Sequence, residues 1–576
     1  MSTTSDRLAL LQRTKAGQRA LLEEMYPDLD FSTVPFREYG RLFTGRKYVP
    51  GFVGGWKGYG RSNSEDPATR EILPDYSGNG RDIKLYNFDF TESSGYSGGG
   101  LVSDGVDDYG QCIKGFALPD DYTVVAIRRI IEGHDGGFVS KGSTGGAFIF
   151  DSTRENIYSA CWSYGVKSTG TPMPSLFSYQ MKGSYNGQEI SYGTAEDTAE
   201  DQLTVFRHGT QLYCQGVLYD LRIYDHSLTA EELQIVRDEM MTDYENATGG
   251  GIADIHYVAD WDAKGRSNDE EEPMRSQWTD KATGKVIDLH NYAYAGMSGW
   301  GGYGIDCSKV LVNGPQDLVD GNVLQFNATK NAANFLYGVS GMKSVSARIR
   351  VEGISRAVAS GKAYYLQIYF SSSGGERLRI TGDGVHDVDL PVTEGSQWMY
   401  LYVAPAIYAP DWTPIDPVTV EILPSYPGAL VSDGVDDSGQ TREAISEEVG
   451  TMLVYARLID ESAGGYYILN TNKSSGDGRL YVWRTGSRNY DFGLPTQGAD
   501  KPPFVLTRVP QAPALPMYIA SSGPGYYSAC FIYRIILIRE QLDGAQVEFL
   551  KWKVDKEYRE WCRANGYEYA INQLTA

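Results

Sequence analysis

Residues 101–111 read LVSDGVDDYGQ and residues 430–440 read LVSDGVDDSGQ. One difference in eleven positions marks an internal duplication, and a duplication dictates how the rest of the chain must be divided. The likeness runs outward in both directions. Eleven residues beyond each GQ an alternating strand begins, YTVVAIRRI from Tyr122 and TMLVYARLI from Thr451, with Arg128 and Arg457 in register. Upstream, WKGYGRSN from Trp56 matches WDAKGRSN from Trp261, each followed by an acidic cluster ending in Pro67 or Pro273. A Gly-containing turn after Asp75 or Asp280 comes next, then Leu-x-Asn at 85–87 and at 289–291. Downstream, GVLYDLRIYDHSLTAEELQIV (216–236) corresponds to CFIYRIILIREQLDGAQVEFL (530–550), each a strand, a turn and a helix start. Thr229 with Glu232, and Asp543 with Gln546, have the spacing of a capping box. Leu233, Val236 and Met240 recur as Val547, Leu550 and Val554, one apolar helical stripe.

The copies differ in length. About ten residues separate Leu-x-Asn from LVSDG in the first, whereas roughly 303–425 intervene in the second. Within that insert Val345, Ala347, Ile349 and Val351 alternate with Ser346, Arg348, Arg350 and Glu352, the period of a half-buried strand. AYYLQIYF, RLRI, QWMYLYV and PVTVEIL follow with turn signals between them. The segment is expected to close a small β-sandwich of its own, leaving and re-entering its host where the first copy has only a loop. The division expected is an N-terminal helical segment (1–50), one repeat (51–250), a second repeat (251–302 and 426–576) and an inserted β-sandwich (303–425).

Abundant Gly (66) and Tyr (42) in 576 residues suit an all-β architecture with many tight turns. A net charge of −22 without any Lys/Arg run argues against nucleic acid as a partner. No apolar stretch has the length of a signal-peptide core or a bilayer span, so no membrane insertion is expected and the chain should be soluble and made in the cytosol. Six Cys without CxxC spacing read as buried free thiols. The six His form no HxH or HExxH pair, and no GxSxG elbow or P-loop occurs. TAEDTAED (194–201) and NDEEEP (268–273) read as solvated acidic loops. In the two GRSN elements the arginine is expected to pair with the neighbouring acidic loop and the asparagine to make a turn.

DxSGxGxxxxL from Asp75 to Leu85, SDGVDDYG (103–110) and YDLRIYDHSLTAEEL (219–233) together resemble the laminin G-like, concanavalin A-like jelly roll. The resemblance covers about 55–250 and, more weakly, 255–302 with 426–563. It implies an all-β fold: two concanavalin A-like (LamG-like) sandwiches, the second interrupted by a small β-sandwich, behind a short N-terminal helical anchor. Glucanases on this sandwich carry an E-x-D-x-E strand that aims two carboxylates at the glycosidic bond, and this sequence has none. The chain is therefore expected not to be an enzyme. A second resemblance lies in residues 8–43, where a short helix and a PFxEY turn (Pro35, Phe36, Glu38, Tyr39) are similar to the opening of tail, fibre and appendage proteins of tailed phages. With the GRSN elements and the interrupted sandwich, this resembles virion proteins of gut Bacteroides phages, including crAss-like phages.

What the resemblance implies is a structural head-fibre, tail-fibre or capsid-decorating protein, located in the virion and assembled in the host cytoplasm. Leu8, Leu11, Leu22, Pro35, Phe36 and Tyr39 would anchor it to other virion proteins, as a homo-oligomer with a trimer favoured, and host-surface glycans would be its outward partners. The alternative is a carbohydrate-binding receptor protein or a depolymerase acting on host capsule. Tyr96, Trp300 and Tyr303, in Gly-rich loops of the two copies, are the candidate glycan-stacking residues. Asp104, Asp107 and Asp108, with Asp433, Asp436 and Asp437, are candidate Ca²⁺ ligands, no other cofactor being expected. The preferred reading of the same Asp-Gly elements is a hairpin turn whose carboxylates cap backbone N–H groups.

Overall fold

A computed structural model of the chain describes residues 15–26, 31, 34, 39, 42 and 47–574. Outside the described residues within the last range are 119–121, 133–136, 142–147, 152–156, 160–161, 165–174, 181–183, 186–187, 190–201, 210–211, 250–254, 341, 343, 372–375, 407–411, 460–465, 472–479, 485–489, 493, 500–502, 522–526 and 543. The chain divides into two compact units, 1–254 with 542–553, and 255–541 with 554–576. The helix Gly544–Ala564 contributes residues to both.

In the first unit two eight-stranded antiparallel sheets form a sandwich. Strand Gln215–Tyr224 lies between Thr123–Glu132 and Gly100–Asp104, and Phe52–Lys57 pairs onto its far end. The opposing sheet includes Gly137–Lys141, Leu203–Val205, Tyr109–Cys112 and Ile83–Tyr86. Trp56, Leu85, Leu101, Phe138, Val205 and Leu221 fill the space between them. Every residue of strand Gln215–Tyr224 after the first is buried, which a sheet with one wet face would not allow. The reason is the helix Ala230–Thr248, whose Leu233, Val236 and Met240 cover the outer face over Val125, Ile127 and Tyr219. Thr229 and Glu232 form the expected reciprocal capping box, and Gly249 ends the helix in the left-handed conformation at φ +70°. Val547 and Leu550 are likewise buried, with Phe549 packing edge-on to Tyr244, whereas the expected cap Asp543 lies outside the described residues.

The second unit repeats this arrangement. Tyr257–Asp262 pairs with Ala529–Ile538 as Phe52–Lys57 pairs with Gln215–Tyr224, with a register shift at the same place. Trp56 and Trp261 are both fully buried. One detail differs in chemistry at unchanged geometry: Lys57 stands opposite Asp220 in the first copy, Asp262 opposite Arg534 in the second. The pair has exchanged its charges across the ladder. In each case a helix carboxylate completes the cluster, Asp243 on Lys57 at 2.7 Å and Glu557 on Arg534 at 2.9 Å.

Residues between 303 and 427 build a further sandwich inside the second unit. One five-stranded sheet runs Val310–Val312, Phe335–Gly338, Trp398–Pro405, Ala363–Phe370, Arg377–Ile380. The other runs Leu318–Asp320, Val323–Thr329, Thr413–Leu423, Ser344–Glu352, Gly384–Pro391. Their shared core holds Phe326, Phe335, Ile349, Leu366, Leu401 and Val418. The graft point is a two-residue turn. In the first copy Gly98 and Gly99, at φ +56° and +76°, join the hairpin Gly95–Ser97 to Gly100–Asp104. In the second, Gly302 at +57° and Gly428 at +76° hold the same two conformations with the whole insert between them, while Gly299–Trp300 still pairs with Leu430–Asp433. Such turns need φ > 0 at both central residues, and glycine adopts it without strain.

At the N-terminus the helix Lys15–Met25 places Leu22 in a small buried cluster with Phe31, Val34, Tyr39 and Leu42. Of the expected anchor residues, Leu22 and Tyr39 are thus interior, while Leu8, Leu11, Pro35 and Phe36 lie outside the described residues. Cys112, Cys214, Cys307, Cys530 and Cys562 are buried free thiols; the sixth, Cys161, is not among the described residues.

Candidate functional site

The repeated Asp-rich turn is built on the same two hydrogen bonds in each copy. Asp104 Oδ1 accepts from the Val106 N–H at 2.8 Å, and Asp108 Oδ2 accepts from the Asp104 N–H at 2.9 Å. In the second copy Asp433 accepts from Val435 at 2.8 Å and Asp437 from the Asp433 N–H at 2.9 Å. Ser298 adds a hydroxyl to Asp437 Oδ1 at 3.0 Å. Asn87 and Asn291 brace the same turns from below, donating to the carbonyls of Asp107 and Asp436. Burial pushes the carboxyls of Asp108 and Asp437 up to about 7. The three carboxylates of each copy do approach one another, with oxygens within 4.8 Å. Four of the six are already engaged in fixing the backbone, the work of a turn cap.

The GRSN elements are also scaffolding. Arg61 pairs with Glu65 at 2.8 Å and Arg266 with Glu270 at 2.7 Å, and each arginine also donates to backbone carbonyls. Asn63 Oδ1 accepts from the Tyr96 N–H at 2.6 Å, and Asn268 Oδ1 from the Trp300 N–H at 2.7 Å. The asparagine oxygen sits 2.5–2.6 Å from where a Cβ would stand on Gly95 or Gly299, whose φ is strongly positive. The asparagine bond is made to the backbone of the next residue, whose ring points into the core. Tyr96 and Trp300 are 7% and 1% exposed, with their polar tips donating to the carbonyls of Arg70 and Arg275. Arg61 and Arg266 lie over their faces at 5.1 and 4.1 Å. The expectation that these two rings stack on sugar is therefore corrected: both faces are occupied by core and arginine. Tyr303 differs. It is half-buried and lines a cleft of about 970 Å³ within the second unit, with Met297, Tyr337, Met342 and Arg348. The Asp306 carboxylate there is taken up by Ser308 at 2.5 Å and Lys309 at 2.9 Å.

The insert carries an arrangement that the sequence did not single out. In strand Ala363–Phe370, Leu366 and Ile368 face the core, so Tyr365, Gln367 and Tyr369 face outward. In strand Trp398–Pro405, Met399, Leu401 and Val403 face the core and Trp398, Tyr400 and Tyr402 face outward. The pairing sets Tyr369 between Tyr400 and Arg377, and Gln367 between Tyr402 and Arg379. The Tyr369 ring lies 5.2 Å from Tyr400 and 5.8 Å from Tyr402. Arg377 lies over Tyr369 at 5.4 Å and Arg379 over Tyr365 at 4.7 Å. The tyrosines are half-buried and both arginines exposed. Gln367 is only 1% exposed, and neither its Nε2 nor its Oε1 has a hydrogen-bond partner among the described residues.

No protein-family model matches the chain. A search of curated proteins finds no significant relative. Among solved structures, Trypanosoma rangeli sialidase in complex with sialic acid is similar over 40% of this chain and 39% of its own, at 16% identity and a TM-score of 0.24. Domain 4 of AbnA, an extracellular arabinanase of Geobacillus stearothermophilus solved with arabinotriose, is covered over 97% by 32% of this chain, at 11% identity and TM-score 0.22. The binding domain of Paraclostridial Mosquitocidal Protein 1 is covered over 92% by 62% of this chain, at 11% identity and TM-score 0.22. The chain spans about two fifths of the sialidase's length. Likeness at this level bears on neither ligand nor activity.

Proposed function

We propose that this chain is a non-catalytic display protein of a phage particle, in which duplicated β-sandwiches serve as scaffold and present a surface for host glycan. The observation that carries the scaffold reading is what the two copies have in common. Most of their shared carboxylates hold turn N–H groups, as Asp104, Asp108, Asp433 and Asp437 do, or arginines, as Glu65 and Glu270 do; Asp107 and Asp436, exposed on the turns, are the exceptions. A duplicated catalytic centre would instead keep convergent acid and base groups free at matching positions. The part that distinguishes the copies is the insert, and recognition is assigned to it. Docking to the particle is assigned to the N-terminal segment, supported by the resemblance of residues 8–43 to phage appendage proteins. A homotrimer assembled with other virion proteins is the arrangement in keeping with that resemblance.

The test is incorporation. Antibody against the β domains should label purified particles, and a chain lacking residues 1–45 should remain folded in the lysate yet be missing from particles. Normal incorporation of the truncated chain would refute the docking role. Release of reducing ends from host capsular polysaccharide by the purified chain would overturn the non-catalytic reading.

A further inference from the structure

We propose that the outward face of the insert's sheet around Ala363–Phe370 is an oligosaccharide-binding platform selective for glycans that carry carboxylate groups. The inference rests on the display reading only for its biological setting; the binding chemistry stands on the face itself. Three strands contribute: Arg377 and Arg379 from one, Tyr365, Gln367 and Tyr369 from the next, Tyr402 from the third. At ordinary strand spacings this makes a patch about 10 Å across and about 13 Å along the strands, the footprint of a short oligosaccharide.

The chemistry of the patch suits a sugar. The π face of a tyrosine attracts the polarised C–H bonds of a pyranose; with Arg379 and Arg377 lying over Tyr365 and Tyr369, stacking is assigned to Tyr402, and the other two rings offer their hydroxyls. Tyrosine and arginine are enriched at protein interfaces too, but there the buried centre is more apolar than the rim. Here the aliphatic side chains of both strands, Leu366, Ile368, Leu401 and Val403, are turned into the core. Gln367 supplies the second, independent sign of a ligand. A buried amide with both its donor and its acceptor unpaired is rare, because nothing repays its lost hydration. It sits between Tyr402 and Arg379 in the ladder, so hydroxyls of a bound sugar would reach both ends of the amide once those two side chains shift aside.

Charge selects the class of glycan. On a chain of net charge −22, Arg377 and Arg379 are exposed and neither has an ion pair among the described residues; their partners in this face are tyrosine rings. Two unpaired guanidinium groups on one rim, two residues apart, are suited to the carboxylates of uronic or sialic acid units. The insert's opposite outer face is not available in this way. There Arg348 lies over Tyr569 at 4.4 Å and Arg350 donates to the Gly566 carbonyl at 3.4 Å.

The experiment uses the full chain against four polymers: alginate and polygalacturonate, which carry uronates, and dextran and laminarin, which are neutral. Affinity electrophoresis and calorimetry should show binding to a uronate polymer that weakens as NaCl is raised. Tyr369→Ala and Tyr402→Ala should each weaken it about tenfold. Arg377→Gln with Arg379→Gln should abolish the preference over neutral polymers. Gln367→Met keeps the shape and removes the unpaired amide, so it should weaken binding about tenfold while raising the Tm. A merely structural Gln367 would move the Tm alone. Because the arginine and Gln367→Met variants leave the core intact, they decide the matter even if a tyrosine variant fails to fold. Equal affinity for neutral polymers overturns the ligand class, and binding unaffected by all of these changes overturns the site. Failure of the intact chain to bind any of the four overturns the inference, while antibody labelling of particles, measured separately, still stands or falls alone. A change in sedimentation rather than glycan binding would make the face a contact between copies, and would overturn it too.

Discussion

A carboxyl at the foot of a turn can hold a backbone N–H and still resist ionisation. Asp108 and Asp437 are in this position, each accepting from the residue four before it and each pushed up to about 7 by burial. Unfolded, an aspartate titrates near 3.9, so the folded value is raised. A raised value means the folded state prefers the proton, and the stability it confers is complete below about pH 4 and is lost as pH rises through about 7. Asp108→Asn and Asp437→Asn keep an acceptor without the charge. Both should therefore flatten the fall in Tm between pH 4 and 8, by an amount on the order of 1 kcal/mol per site once partial access of solvent is allowed for. Thermal melts across that range check it, and a pH-independent offset between parent and variants would show that the carboxyls ionise normally. The Asp-Gly turn was legible from sequence because its chemistry is local, spanning five residues. The core position of Tyr96 and Trp300 was not, since their partners are distant in sequence: Asn63 and Asn268 reach the Tyr96 and Trp300 N–H groups from more than thirty residues away.

Among the elements, the helix Ala230–Thr248 illustrates how a few side chains set a boundary. Thr229 and Glu232 satisfy each other's backbone N–H groups at 2.9 and 3.2 Å. Thr229→Ala should cost the first unit about 1 kcal/mol, read as a lower denaturation midpoint at unchanged m-value. The stripe of Leu233, Val236 and Met240 could be read in advance because helical periodicity is itself the signal. The tyrosine platform escaped notice for the opposite reason. YLQIY and WMYLY each look like any half-wet strand, and only the register that sets Gln367 beside Tyr402 brings the two outer rows together. A period-two run of aromatics on two neighbouring strands is the one trace it leaves in the sequence.

At the level of the whole chain, the duplication announced an all-β sandwich architecture, and the sheets bear that class out. The sequence placed the insertion near residue 303 but could not show that it opens a two-residue turn, because Gly302 and Gly428 become neighbours only after folding. Joining Gly302 directly to Gly428 should restore the turn of the first copy. The shortened chain should fold with all strands of its second sandwich, although less stably, since Tyr558 and Tyr569 donate to Pro427 and Pro424 in the departing segment. It should bind none of the four polymers. Circular dichroism, calorimetry and affinity electrophoresis test these points, and a shortened chain that cannot fold would mean that the insert is part of its host's core.

The split turn also sets a timetable. Gly95–Ser97 and Gly100–Asp104 emerge from the ribosome almost together, and a hairpin of that kind zips in microseconds. Gly299–Trp300 must instead wait for Leu430–Asp433, and at 5–20 residues per second the delay is roughly 6–25 s. Throughout that interval the nascent chain carries an unpaired strand edge and an uncovered tryptophan, the surfaces that chaperones bind and that aggregation recruits. If the inserted sandwich closes on its own as it is synthesised, it draws the two edges together and ends the wait. The second copy thus depends on its guest for timely assembly, a dependence that the first copy does not share.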